Sequence, residues 1–292
     1  MITLDKSTKE LFSSFCINNN LTENMEQAIE YFTIFGGLDE KLDFTIPIKE
    51  LIKKVVLVNY DTFRKEINQI IGGYGVEYAI LSGIALGDRK TTTTFKRAHL
   101  SFEEGMKCVD NLLDTEIIEI ESSQYFLLGK RNDTKTAKKL FFTVPFIRFW
   151  FGFISPIYKG IKEGNFEEFD KRYDNYMGEF AQFIFEELCL IFLQNYNFDD
   201  EIKQIGKFWD NNLQIDIVAK TKGDKLIVAN CKYTNNKLKK SELNRLVDDC
   251  SNLQIDPDIL ILFSKSGFSS ELKSLKSEKF KLFSVKHLKQ LI

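Results

Sequence analysis

Apolar positions recur at two different periods along this chain. In residues 1–70 they sit near helical spacing, as at Met25, Ile29, Tyr31 and Phe32 and again at Leu51, Val55 and Val56, which predicts a mainly helical segment. From about Val76 to Leu140 the pattern changes. VEYAILSGIAL predicts a helix, TTTT a polar break, and SFEEGMKCVDNLL a second helix. Ser101 and Glu104 are spaced there as a capping box, in which each side chain satisfies a backbone amide at the helix start. EIIEIESSQYFLLGK then reads as two short strands about a Ser-Ser turn.

Helices followed by a small hairpin predict a winged helix over residues 71–142. The segment KRNDTKTAKK falls just past that wing and carries Lys130, Arg131, Lys135, Lys138 and Lys139. Phosphate contacts at that place would position DNA without reading its sequence. Docking of a protein partner is the alternative use of the same unit.

Beyond it, VPFIRFWFGFISP places Pro145 where a helix begins, and its aromatic density predicts a buried helix rather than a platform for stacking bases. Helical pattern continues to about Tyr196 through YMGEFAQFIFEELCLIFLQ, apolar on most sides and so expected to be enclosed. Glu186 and Glu187 lie inside it. Acids in such a helix need a base, a backbone donor or a metal as partner.

The last region switches to strands. In LQIDIVAKTKGDKLIVANCKYT two runs rich in Ile, Val and Leu flank Lys222-Gly223-Asp224, a turn signal. A hairpin symmetric about Gly223 sets Asp216 opposite Asn230 and Gln214 opposite Lys232. Side chains alternate along a strand, so Asn230 and Lys232 share a face and Cys231 points away. Asp216, Asn230 and Lys232 then form one polar patch at the open end of the hairpin.

Composition removes several chemistries. Two histidines, His99 and His287, leave no material for a Ser-His-Asp triad or a multi-histidine metal site. No G-x-x-x-x-G-K-[ST] loop occurs, so ATP is not expected as a cofactor. Five cysteines are scattered without a CxxC pair, which predicts reduced thiols and a cytoplasmic protein. Neither a secretory signal nor an apolar run of membrane-spanning length is evident, so no membrane partner is expected. A net charge of −2 is neutral on nucleic acid, and only the local lysine-rich stretches bear on it.

The polar patch has a definite chemical use. An aspartate can hold magnesium through oxygen together with waters and a substrate phosphate, and a nearby lysine can orient the attacking water. A second carboxylate normally completes such a site. Asn230 offers only a neutral oxygen, and Glu186 or Glu187 could supply the missing charge.

An aspartate, a spacer and an acid-x-lysine strand make up the signature that these residues resemble, that of the PD-(D/E)XK nuclease-like superfamily. From about Val144 onward the chain looks more closely like the uncharacterised C-terminal domain attached to archaeal-type ATPases. PFIRFWFGF, GEFAQFIFEELC, QIDIVAK, NCKYTN and ILFSKSGFS carry that resemblance. FGGLDE, within residues 29–70, is similar to the tail of the ATPase module, whose phosphate-binding part is missing.

The resemblance implies an α+β or α/β multi-domain chain. Its parts would be a helical lid remnant at 1–70, a winged helix at 71–142, and a restriction-endonuclease-like mixed sheet flanked by helices at 143–292. It further implies Lys232, Asp216 and Glu186 as catalytic residues, and Asp216, Glu186 and Asn230 as ligands of a magnesium ion held weakly because of Asn230. Three functions stay open: a magnesium-dependent deoxyribonuclease, an inactive DNA-binding or regulatory protein, and a protein–protein adaptor.

Overall fold

Helical spacing in the first seventy residues is realised as α1 (Thr8–Asn18), α2 (Met25–Phe35), α3 (Ile48–Ile52) and α4 (Tyr60–Ile70). The structure, a computed structural model, describes residues 1–73, 75–131, 133 and 135–292. Met1–Asn20, Glu30–Ser122 and Ala137–Phe180 pack as one unit, and Leu21–Ile29, Ser123–Thr136 and Ala181–Ile292 as a second. The chain therefore alternates between its units instead of finishing one before starting the next.

In the first unit three helices follow one another, α5 (Val76–Ala85), α6 (Thr91–Arg97) and α7 (Phe102–Leu113). The expected capping box starts α7: Ser101 accepts from the Glu104 amide, and the Glu104 carboxylate accepts from the Ser101 amide. TTTT is the first turn of α6, not a break. Thr91, Thr94 and Phe95 are buried there, and packing outweighs the modest helix penalty of threonine.

A two-stranded antiparallel sheet completes this region, β1 (Ile118–Glu121) with β2 (Lys139–Phe142). The second strand is not QYFLLGK, as the pattern suggests. Tyr125–Leu128 forms a 3₁₀ turn ending on Gly129 in the left-handed conformation. Tyr125, Leu127 and Leu128 are all buried, in the core of the second unit, whereas a half-wet strand would alternate. The basic run thus lies between the two strands, and Lys139 is a buried residue of β2, only 4% exposed.

The aromatic stretch is buried, as its composition predicts. α8 (Pro145–Phe149) runs into a π-helical turn, Trp150–Ile154, and is followed by α9 (Tyr158–Lys162). Trp150 stacks on Tyr60 at 5.3 Å. Arg148 is buried. Its Nη1 donates to the Phe180 carbonyl at 2.9 Å, Nε donates to that of Ala85 at 3.2 Å, and the guanidinium lies 3.8 Å from the Phe180 ring. Backbone oxygens and an aromatic face compensate a charge that burial would otherwise penalise.

α10 (Glu167–Asn195) leads into the second unit, a five-stranded mixed sheet. Its strands are β3 (Ile202–Trp209), β4 (Gln214–Thr221), β5 (Leu226–Lys232), β6 (Ile259–Ser264) and β7 (Phe280–Ser284), in that spatial order. β4 is antiparallel to both of its neighbours, β3 and β5, whereas β5, β6 and β7 are parallel. Parallel neighbours need a crossover, provided by α11 (Lys240–Asn252) before β6 and α12 (Ser270–Ser274) before β7.

Both faces of this sheet are covered. Leu246 and Cys250 of α11, Leu253 just after it and Leu272 of α12 join Val218, Val228, Leu262 and Leu282 in one core. On the opposite face Phe192 of α10 meets Phe263 at 5.8 Å and Phe283 at 5.1 Å. That is why β4 and β5 read as continuous apolar runs. The protein is therefore mixed α/β, with a helical N-terminal region followed by a five-stranded mixed sheet and flanking helices. Among the described residues no helix is long and apolar enough to cross a membrane.

Candidate functional site

The β4–β5 turn fixes the geometry of everything at the far end of the hairpin. Asp224 takes the left-handed conformation, φ 62°, that the tight turn requires. Asp200 braces it, its Oδ1 accepting the Gly223 amide at 3.0 Å and its Oδ2 the Thr221 hydroxyl at 2.6 Å. Pairs from Ile217↔Ala229 to Lys220↔Leu226 follow the register centred on Gly223. One step further, Asp216 stands opposite Asn230.

Alternation does the rest. Leu226 and Val228 face α11, so Asn230 and Lys232 continue that face, while Cys231 turns to α10. Three hydrogen bonds involve Asp216, and one of them joins it to Asn230. The Cys231 amide donates to Asp216 Oδ2 at 2.8 Å, Gln214 Nε2 donates to Asp216 Oδ1 at 3.3 Å, and the Asp216 amide donates to Asn230 Oδ1 at 3.4 Å. Asp216 and Asn230 are 9% and 8% exposed, and Lys232 is half-buried.

Glu186 reaches the same end of β5 from α10, guided by Gln182 one helical turn earlier. The Gln182 amide nitrogen donates to Glu186 Oε1 and to the Cys231 carbonyl, both at 2.8 Å, and its oxygen accepts the Tyr233 amide at 2.7 Å. One side chain thus fastens the helix to the strand and orients the acid. Glu187 goes elsewhere, into an ion pair with the buried Lys207 of β3. Of the two adjacent acids, one is held by Gln182 near the end of β5 and the other pairs with β3.

Cys189 of α10 and Cys231 are fully buried, and burial pushes both thiols up. The charges of Glu186 and Asp216 push both thiols slightly further in the same direction. On the opposite face Asp249 of α11 has its carboxyl raised, chiefly by burial, with Lys232 opposing the rise and Asp216 adding to it. Among the described residues no three His, Cys, Asp or Glu side chains are grouped to hold a metal ion. Asp216 and the Asn230 amide stand side by side at the end of the hairpin, joined through the Asp216 backbone amide.

Within the basic run the structure corrects one position, Lys139, which is buried. Lys130, Arg131 and Lys135 belong to the segment that packs with the second unit, while Lys138 and Lys139 belong to the first. Arg131, Lys135 and Lys138 are exposed and Lys130 is half-buried, but Lys139 is enclosed in β2 and offers no phosphate contact. The exposed positions of α7 carry Glu103, Glu104 and Asp110, with Asp114 at its end, against Lys107.

Gln182 and Asp249 are absent from the sequence-based set. Gln182 had one legible signal, its place four residues before Glu186 on a helix, where side chains meet. Asp249 had none, since its relevance depends on how α11 lies on the sheet.

Residues 150–246 match the profile of the DUF234 family, described as "Archaea bacterial proteins of unknown function". That interval runs from the second part of the aromatic stretch through α10 and the hairpin into the first half of α11. No functionally curated protein matches the chain. The crystal structure of protein VC1899 from Vibrio cholerae aligns with 99% of this chain and 60% of its own, at 10% identity and a TM-score of 0.30. Likeness that loose carries no inference about fold or function.

Proposed function

We propose that the second unit is a PD-(D/E)XK nuclease-like domain that binds nucleic acid at the carboxyl end of β5 and cleaves phosphodiester bonds feebly. One observation carries this reading: the order α10, β3, β4, β5, α11, β6 supports a restriction-endonuclease-like core, and the Cys231 backbone just before Lys232 bonds both to Asp216 and to the Gln182 that holds Glu186. The donor set suits magnesium, which is commonly bound by one or two carboxylates and completes its shell with water and phosphate oxygens. Asp216 and Glu186 would hold it, and the ion would supply Lewis-acid stabilisation of phosphate charge.

The remaining work falls to the chain itself. Lys232 donates a hydrogen bond to the attacking water and offsets charge developing on the phosphate. Gln182 keeps Glu186 aimed at the site. Asn230 contributes an oxygen already shared with the Asp216 amide, and the site carries one negative charge fewer than an acid there would give. Weak metal affinity follows.

Supercoiled DNA with Mg²⁺ or Mn²⁺ is expected to be nicked slowly by the wild type, faster by Asn230→Glu, and not at all by Asp216→Ala. Nicking that survives Asp216→Ala would overturn the assignment.

A second reading concerns α5–α7 with β1 and β2, which we take as a winged helix. The acidic exposed side of α7 favours docking of a protein over insertion into a DNA groove, because each Glu or Asp there would face phosphates. Lys107→Glu is expected to leave DNA affinity and its salt slope unchanged. A slope smaller by about one would restore a DNA-reading role.

A further inference from the structure

The loops that leave β5 and β6 hold a second lysine at the end of the site. The Lys265 amide donates to the Lys232 carbonyl at 3.0 Å, and the Ser266 hydroxyl donates to the Thr234 carbonyl at 2.7 Å, so the two loops are stitched together. Lys232 lies on the face covered by α11. Lys265 rises on the α10 side, its ammonium 4.7 Å from the centre of the Tyr233 ring, which itself packs on Phe185 of α10 at 5.2 Å. The end of β5 is flanked by a cation from each face.

Lys265 is held by groups of unequal kind. Asn235 Oδ1 accepts from its ammonium at 2.8 Å, and the Tyr233 ring is a neutral surface. Glu26, at 3.1 Å, brings the negative charge. The Lys265 side chain is 16% exposed and that of Glu26 53%. A largely desolvated cation is thus neutralised by a carboxylate standing mostly in water, and such a carboxylate is a weak partner. Glu26 can swing aside without undocking its helix, because Leu21, Met25, Ala28 and Ile29 of that segment are buried. Glu23 makes a parallel pair with Lys289 at 2.7 Å, which keeps the segment in register.

We infer that Lys265 is a phosphate-contact residue for a polynucleotide at this site, and that Glu26 is the internal anion exchanged for that phosphate. This rests on the nucleic-acid reading of the second unit. A backbone phosphate offers several acceptor oxygens to the Lys265 ammonium at the place where the carboxylate now sits, and the released Glu26 returns to water. Glu26 therefore lowers affinity, whatever the base sequence, for every polynucleotide long enough to bring a phosphate to Lys265.

The test is anisotropy of a labelled DNA duplex with the full chain, in EDTA so that cleavage plays no part, over a series of salt concentrations. Glu26→Gln is expected to tighten binding by about three- to five-fold, the worth of an exposed ion pair. Lys265→Gln is expected to weaken it and to lower the slope of log affinity against log salt by about one, while Lys265→Arg keeps both. In the double variant Glu26→Gln brings no gain over Lys265→Gln alone. A gain that persists without Lys265 would reduce Glu26 to a general repulsive charge and sink the inference. So would wild-type binding that Glu26→Gln leaves unchanged, while the nucleic-acid reading would stand. Absence of binding by the wild type and every variant would remove that reading and this inference with it.

Discussion

Replacing Gln182 with leucine removes one side chain's worth of polar atoms and keeps its approximate volume. Three hydrogen bonds go at once, to Glu186, the Cys231 carbonyl and the Tyr233 amide. A neutral hydrogen bond nets about 1 kcal/mol and one to a charged group about 1.5–3 kcal/mol, and a partner left dry costs at the upper end. Gln182 is half-buried, so water recovers some of this. The expected loss is about 2–4 kcal/mol in the second unit. For a unit of this size it lowers the melting temperature by roughly 5–10 °C. Calorimetry measures the shift, and hydrogen exchange localises it, with the Tyr233 amide losing protection before the middle of β5. Gln182→Glu fares no better near neutral pH, since a carboxylate cannot donate to either acceptor. A loss below about 0.5 kcal/mol, the range of indifferent surface changes, would refute the view that Gln182 fastens α10 to β5.

Asn230→Asp sets a second carboxylate opposite Asp216 and is expected to destabilise the metal-free protein by about 1 kcal/mol. Manganese should reverse the sign, raising the melting temperature of the variant more than that of the wild type; an equal response would argue against a shared metal site. Thiol labelling at neutral pH should be slow at Cys189 and Cys231 because burial holds them protonated, and slow too at Cys16, pushed up to about 12. Cys108, half-buried at the surface, should react first, and rapid native labelling of Cys231 would contradict the packing of α10 on the sheet. Asp200 has its carboxyl lowered, first by the Thr221 hydroxyl and next by the Gly223 amide. Its contribution is therefore present above the ordinary aspartate range and is lost as pH falls through its lowered value. Asp200→Asn should be less stable than the wild type at neutral pH, with the gap closing below about pH 4.

Local chemistry made the hairpin legible. Lys222-Gly223-Asp224 admits few turns, the flanking runs are apolar, and the register then follows with Asp216 opposite Asn230. The same reasoning stumbled on QYFLLGK. Its residues suit a strand, but three buried side chains of four commit it to a core made by distant strands. TTTT misled in a similar way, because Thr91 and Thr94 are helical only by virtue of what covers them. Lys139 looked like surface since nothing local marks a lysine that a two-stranded sheet encloses. Gln182 works through backbone groups some fifty residues away, a relation no spacing rule encodes.

The alternation of the chain between its two units has a consequence during synthesis. Every segment of the first unit has been translated once Phe180 has been added, but Leu21–Ile29 and Ser123–Thr136 are made long before the strands they pack on. Until Phe208, Val218 and Val228 emerge from the ribosome, Tyr125, Leu127 and Leu128 have no core to enter. They are apolar bait for chaperones and proteases throughout that interval. A gene fragment that begins after residue 136 would create the opposite fault, a sheet whose core lacks those three side chains.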